Sequence, residues 1–197
     1  MTSRVDRARV EAAVRELLAA IGEDPDRPGL ARTPQRVADS YTEFFAGIGV
    51  DASAIARDGT VAAEAHERGR LVVVRDVKFR SVCEHHLLPF LGVAHLAYAP
   101  GERLIGLGTL ARVVDALASR PQLQERLGEE IVRAVHDGLG ARGVLVVLDA
   151  QHQCVTTRGE RQTGSTTVTV AASGELADAA GRAEAIALIG TGAEADA

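Results

Sequence analysis

The sequence predicts an α+β fold in which a helical N-terminal segment precedes an antiparallel β-sheet with paired helices on one face. Apolar residues recur twice at helical spacing before residue 50, and from Leu71 onward two pairs of strand-like segments flank two further helical patterns. The order β-β-α-α-β-β is typical of an α+β sheet with helices packed against it. We therefore divide the 197 residues into a helical segment (1–70), a sheet domain (71–174) and an Ala/Gly-rich tail (175–197).

The N-terminal segment carries two amphipathic patterns. The first is an apolar stripe at i, i+4, i+7, i+8 and i+11, formed by Val10, Val14, Leu17, Leu18 and Ile21. The second follows Pro34, which suits the first turn of a helix, and consists of Val37, Tyr41, Phe44, Phe45 and Ile48. Residues 50–70 show weak periodicity, so we expect a mobile connection there.

Four strand patterns and two helical stripes make up the sheet domain. The strands are "LVVVRDVKF" and "VAHLAYAP" before the helices, and "GVLVVLDA" and "STTVTVAA" after them. The first helix has the stripe Leu110, Val113, Val114 and Leu117. The second begins at Pro121 and carries Leu123, Leu127, Ile131, Val135 and Leu139. In the tail we expect a short helix followed by disorder, because Ala and Gly dominate its composition.

Composition excludes several classes of protein. Net charge is −5, which gives no electrostatic basis for binding nucleic acid or an anionic membrane. No apolar run reaches the roughly 18 residues of a membrane span, and the N-terminus lacks a signal-peptide core. We expect a cytoplasmic protein, in which a structural disulfide is unusual. An anionic substrate would therefore need a local basic pocket.

The chemistry-bearing residues fall in two short stretches. "SVCEHHLLPF" begins at Ser81 and "DAQHQCVTTRG" begins at Asp149. Together they hold both cysteines of the chain and three of its six histidines. Thiolate sulfur and imidazole nitrogen are ligands that zinc prefers, with three protein ligands plus water in catalytic sites. Five donors exceed that need, so the surplus histidines are free to move protons beside the metal.

Two other interpretations compete with a metal site. A single buried cysteine is commonly a small apolar filler. A disulfide between Cys83 and Cys154 is a second alternative, for a form that has lost its metal. Each cysteine has a histidine within three residues. A metal site explains this arrangement better than chance does.

Several longer motifs carry a resemblance to a known family. They are "TPQR", "CEHHLLPF", "AHLAYAPG", "ARVVD", "RPQLQERL" and "HQCVTTRG", in this order within Thr33 to Thr169. In these motifs the chain resembles GTP cyclohydrolase I. The resemblance implies the tunnelling fold, in which antiparallel sheets of neighbouring subunits close into a barrel. It also implies a homodecamer with active sites between subunits.

The resemblance implies a catalytic zinc site that acts on a purine nucleotide. Cys83, His86 and Cys154 match the family's Zn²⁺ ligands. His85 and His152 match its proton-transfer histidines. The implied reaction opens the imidazole ring of GTP at C8, releases formate and gives 7,8-dihydroneopterin triphosphate.

Substrate-binding residues are implied in the same way. Glu125 matches the carboxylate that accepts hydrogen bonds from guanine N1 and the amino group, and Gln124 lies beside it. Arg112 and Arg158 match arginines that hold the triphosphate, and Arg36 matches one from an adjacent subunit. Without the resemblance, each of these arginines would be interpreted as a solvated surface charge.

Three positions depart from the family pattern near the expected triphosphate. Gly108 and Thr109 stand where members usually carry serine and lysine, and Asp39 stands where many carry a second lysine. Two alternatives to GTP cyclohydrolase activity follow. One is a paralogue that applies the same chemistry to another or a less phosphorylated purine nucleotide. The other is a non-catalytic, zinc-bound oligomer that binds a purine.

Overall fold

The N-terminal segment is helical, as predicted. The structure, a computed structural model, describes residues 5–190. Helix α1 (Arg7–Ala20) packs against helix α2 (Thr33–Phe44). Val14 of the α1 stripe is buried in this contact, whereas Leu17 and Ile21 are largely exposed.

Residues 50–70, predicted as a mobile connection, contain regular structure in their first part. Helix α3 (Ala52–Asp58) begins at the cap residue Asp51, and strand β1 (Thr60–Ala62) follows it. Ala56 is fully buried, and a Cβ on Gly138 would lie 2.6 Å from the Ala56 Cβ. The small residues that weaken the apolar pattern are therefore the ones that allow two helices to approach closely.

The predicted ββααββ order is confirmed. The elements in chain order are β2 (Val72–Cys83), β3 (Pro89–Ala99), β4 (Arg103–Ile105), α4 (Leu107–Ala118), β5 (Pro121–Gln122), α5 (Gln124–Leu139), β6 (Gly143–His152), α6 (Gln153–Thr156) and β7 (Thr167–Gly174). Five strands form one sheet in the order β5-β2-β3-β6-β7. All neighbours are antiparallel except the short β5, which runs parallel to the end of β2. Strands β1 and β4 form a separate antiparallel pair.

The core lies between one face of the sheet and helices α4 and α5. Leu110, Val113 and Val114 of the predicted α4 stripe are fully buried, as are Leu127 and Ile131 of α5. They pack with alternate side chains of β3 and β6 in a single apolar cluster. Helical periodicity therefore identified the buried faces correctly, because each helix covers the sheet with one stripe.

The opposite face of the sheet is covered in part by the tail. Helix α7 (Ala179–Gly190) buries Ala185 against Ala97 and Leu145 of the sheet. This helix corresponds to the short one predicted in the tail. The predicted disorder concerns residues 191–197, which lie outside the described residues. Within residues 5–190, no helix has both the length and the apolar character needed to cross a bilayer.

Candidate active site

A tight turn between β2 and β3 forms the first half of the site. Cys83 is the last residue of β2, and its N–H donates to the Leu88 carbonyl at 2.9 Å. The Leu87 N–H donates back to the Cys83 carbonyl at 2.9 Å. Leu87 has a φ of 53°, the left-handed conformation that a turn of this kind requires. The turn folds His86 back beside Cys83.

Strand register brings the second half of the site to the same place. Phe90 at the start of β3 pairs with His152 at the end of β6, so the end of β6 lies next to the β2–β3 turn. Cys154 follows within the short helix α6. The ligand atoms of Cys83, His86 and Cys154 all lie within 4.8 Å of one another, although the cysteines are 71 positions apart in the chain. Among residues 5–190 this is the one such group of three.

The donor set fits zinc. Two sulfurs and one imidazole nitrogen leave a coordination position for water in a tetrahedral site. Cys83 is only 6% exposed, Cys154 is partly buried and His86 is exposed, so the cluster opens to solvent on the His86 side. Burial raises the pKa of the Cys154 thiol, and the adjacent Cys83 raises it further. A bound divalent cation would act in the opposite direction, because coordination deprotonates a thiol.

The two remaining histidines lie outside this group. His85 is exposed on the turn, with its ring centroid 6.2 Å from that of His86. His152 stacks on Phe90, with ring centroids 4.7 Å apart and planes 4° from parallel. Burial lowers the pKa of His152, against the opposing effect of the Glu125 carboxylate. The five candidate donors therefore separate into three that converge on one point and two that lie beside them.

The side chain of Gln124 is hydrogen-bonded to His152. Its amide oxygen lies 2.7 Å from His152 Nε2, and its amide nitrogen donates to the main-chain carbonyls of Leu148 and Thr167. The side chain is 1% exposed. Sequence reasoning placed Gln124 among the substrate-binding residues. The contacts of its side chain instead indicate a role inside the protein, because its polar atoms all face protein groups.

Glu125 lies near His152, and Arg158 lies near His86. Glu125 is exposed in the first turn of α5 and lines a groove of about 650 Å³ between α5 and β7, together with Thr169 and Ala171. Arg158 lies beside the cluster, with Nη1 3.5 Å from His86 Nε2. A carboxylate is therefore available near His152, and a guanidinium is available near His86.

Comparisons with known proteins identify the family of the chain. The sequence model of the family "GTP cyclohydrolase I" matches residues 10–190. GTP cyclohydrolase 1 of Leifsonia xyli subsp. xyli is 62% identical over 188 residues, which cover 95% of this chain and 97% of that protein. The chain belongs to the GTP cyclohydrolase I family.

Other relatives of the GTP cyclohydrolase I family extend over similar lengths. GTP cyclohydrolase 1 of Rhodopirellula baltica is 50% identical, over 95% of this chain and 80% of that protein. Among solved structures, the archaeosine synthase QueF-Like in the apo form is 20% identical with a TM-score of 0.45. That match covers 53% of this chain and 93% of the other. The resemblance predicted from the motifs is confirmed by the family match.

Two further residues predicted from the GTP cyclohydrolase I resemblance lie on helices α4 and α2. Arg112 is on α4 and donates to the Thr109 hydroxyl at 3.0 Å. The end of α4 nearest the cluster is Ala118, whose carbonyl accepts from Ser81 at 2.7 Å. Arg112 lies six residues before it, about 9 Å along the helix axis. Arg36 lies on α2, outside the sheet domain.

Two of the positions that depart from the GTP cyclohydrolase I pattern, Asp39 and Thr109, make specific contacts within the chain. Asp39 forms an ion pair with Arg7 of α1, so its negative charge is offset locally. Thr109 is 6% exposed and packs against Gly59, where an added Cβ would lie 2.3 Å from the Thr109 hydroxyl oxygen. The first side-chain atoms at position 109 therefore lie among closely packed neighbours and not at an open surface.

A contact that sequence reasoning missed ties the metal-donor turn to α5. Arg126 donates to both carboxylate oxygens of Glu84, at 2.6 and 3.2 Å. The hydrogen bond from Arg126 lowers the pKa of Glu84. Glu84 N–H also donates to the Gln122 carbonyl at 3.1 Å. The position of Glu84 inside the "CEHH" motif was the one sequence feature that could have drawn attention to it. Nothing in the sequence identifies its partner, which is 42 positions away.

We expect Arg126→Met to weaken zinc binding about two- to fivefold, because a partly exposed ion pair contributes modestly to holding the turn. The measurement is competition with a chelator on the purified protein. Arg142→Met is the matched control, because Arg142 pairs with Glu175 in a similar bidentate-donor contact away from the cluster. Equal zinc affinity in both variants would contradict a positioning role for the Glu84–Arg126 pair.

Proposed function

We propose that the protein hydrolyses GTP at C8 of the guanine, releasing formate and giving 7,8-dihydroneopterin triphosphate. The observation that carries this proposal is the convergence of Cys83, His86 and Cys154 beside His152 in a member of the GTP cyclohydrolase I family. Residues 71–174 would carry the chemistry. Residues 1–70 would contribute to assembly and, through Arg36, to a neighbouring site.

Cys83, His86 and Cys154 would hold a Zn²⁺ ion. When bound, zinc would lower the pKa of a coordinated water far enough, to ~7, to make a nucleophile available at neutral pH. The cluster opens to solvent on the side of exposed His86, where the purine would have to approach.

His152 and Glu125 would act on the base. The Glu125 carboxylate would accept hydrogen bonds from guanine N1–H and the amino group, which would fix the orientation of the ring. His152 supplies a proton to N7, and a protonated N7 makes C8 electrophilic. His85, exposed on the adjacent turn, is the second group for proton transfer during ribose rearrangement and ring closure.

The phosphate end of the site supports assembly into an oligomer. Arg158 lies beside His86, whereas Arg112 lies on α4 and Arg36 lies on α2. Neighbouring copies that present these arginines would complete a triphosphate site between subunits, as in the family's homodecamer. Strand β7 lies at an edge of the sheet, and its Val168 is 59% exposed, which suits pairing with another copy.

We also infer a cytoplasmic location. Cys83 and Cys154 are both free thiols. A reducing compartment keeps such a pair available to a metal.

A second candidate is a paralogue that acts on a less phosphorylated purine nucleotide. The observation that favours it is the burial of Thr109 at the position where the family carries a phosphate-binding lysine. A charge-assisted contact to phosphate is lost there.

The experiment is a substrate panel with the zinc-loaded full chain. GTP, GDP, GMP and guanosine are each incubated, and formate and pterin fluorescence are measured. We expect formate and pterin from GTP, with the highest kcat/KM of the panel. A higher kcat/KM for GMP or GDP would favour the paralogue. Absence of formate with every purine, in a protein that retains zinc, would contradict the proposed function.

A further inference from the structure

We propose that Gln124 is a positioning residue that fixes the tautomer and the orientation of His152. The side chain of Gln124 is 1% exposed, so a substrate has no surface of it to contact. Its amide reaches His152 at one end and strands β6 and β7 at the other. The functional consequence rests on the proposed proton-transfer role of His152, whereas the tautomer follows from the hydrogen bonds alone.

The orientation of the Gln124 amide follows from its neighbours. The amide nitrogen lies 3.1 Å from the Leu148 carbonyl oxygen, 2.8 Å from the Thr167 carbonyl oxygen and 3.2 Å from the Thr169 hydroxyl. Carbonyl oxygens only accept hydrogen bonds, so the NH₂ group must face them. The amide oxygen must therefore face His152.

The tautomer of His152 follows in turn. The Gln124 amide oxygen only accepts, and it lies 2.7 Å from His152 Nε2. Nε2 must therefore carry the hydrogen. A neutral imidazole has one N–H, so Nδ1 is the nitrogen with a free lone pair. Nδ1 is then the ring atom that is free to contact a group outside the Gln124 hydrogen bond.

Two contacts together hold the ring in one orientation. Stacking on Phe90, which is fully buried, fixes the plane of the His152 ring. The hydrogen bond to Gln124 fixes its rotation within that plane. Because Gln124 is the first residue of α5 and is bonded to β6 and β7, the position of the ring is tied to the sheet and the helix at once. A proton donor held in this way needs no reorganisation before it reacts.

The first test measures the tautomer in the wild-type, zinc-loaded protein. Nitrogen NMR of ¹⁵N-histidine-labelled protein distinguishes a protonated from an unprotonated ring nitrogen. The His152 signals are assigned by their loss in His152→Asn. We expect the proton on Nε2. A proton on Nδ1 would overturn the proposal, and this result is independent of whether GTP is a substrate.

The second test uses two buried glutamines as a matched pair. Gln122 is also 1% exposed, but its amide nitrogen donates to the Leu117 carbonyl at 3.3 Å and to Glu130. Gln124→Met and Gln122→Met each remove a side-chain amide from a residue that is 1% exposed. Activity is expressed per folded, zinc-loaded site. We expect Gln124→Met to lower kcat by about 10- to 100-fold, by analogy with the loss of a partner that orients a metal-ligating histidine.

The expected KM for GTP in Gln124→Met stays within about twofold of the wild type, since a group without substrate contact contributes no ground-state binding. Gln122→Met should retain the wild-type kcat. A raised KM with unchanged kcat in Gln124→Met would show that Gln124 binds substrate and would overturn the proposal. So would equal losses of kcat in both variants, which would indicate a general packing role. A wild-type protein that releases no formate from GTP would contradict the proposed function, while the NMR result would still decide the tautomer.

Discussion

Replacing Cys154 with alanine is expected to abolish zinc binding and formate release together. Cys154 supplies one of three donors that lie within 4.8 Å of one another. Removing a group that merely supports a metal ligand costs about 10- to 100-fold in affinity, so removing a ligand should cost more than about a hundredfold. The measurements are metal content by mass spectrometry after dialysis and formate release with GTP.

The matched control for this experiment is Val155→Ala. Val155 is the next residue of α6 and is exposed, so its truncation leaves the helix and the three donors in place. This variant should bind one zinc per chain. If Cys154→Ala also retained one tightly bound zinc per chain, the two halves of the site would not share an ion, and the interpretation of the cluster would be wrong.

The parts of the fold that the sequence predicts well are those with a strong apolar period. The stripe through Leu110, Val113 and Val114 identified a buried helix face because α4 covers the sheet along one side. The same reasoning missed α3, since Ala56 contributes little hydrophobicity to a pattern although it is fully buried against Gly138. Small residues at a close helix contact give no periodic signal.

The candidate site was predictable in composition but not in geometry. Two cysteines with nearby histidines indicated a metal, because zinc prefers those donors. Their convergence depends on the pairing of Phe90 with His152 across two strands, which is a property of sheet register. No local pattern encodes that pairing between residues 62 positions apart.

The residues around the donors were less predictable still. Gln124 reads in the sequence as a polar residue next to Glu125, yet its side chain is buried and bonded to His152. Glu84 and Arg126 were given no role from the sequence, yet they form a two-point contact that joins the turn to α5. These positioning roles depend on contacts between residues far apart in the sequence. The identity of a single polar residue does not predict which residue it will contact.

Replacing His152 with alanine is expected to reduce formate release by about 10²- to 10⁴-fold, the range for loss of a positioned acid or base. Zinc should remain bound, because His152 lies outside the group formed by Cys83, His86 and Cys154. The measurements are zinc content, kcat and KM with GTP. His66→Ala is the control, since His66 is an exposed histidine remote from the donors in sequence and its loss should leave all three unchanged.

The pattern of losses in His152→Ala separates chemistry from binding. Glu125 and Arg158, which we propose to hold the base and the phosphates, are unchanged in this variant, so KM should change far less than kcat. Loss of zinc from His152→Ala would instead show that His152 is a ligand. A variant that keeps zinc, binds GTP and releases almost no formate would assign proton transfer to the one histidine that is stacked on Phe90 and bonded to Gln124. That combination is difficult to obtain in any other way, because a structural defect would lower binding and turnover together.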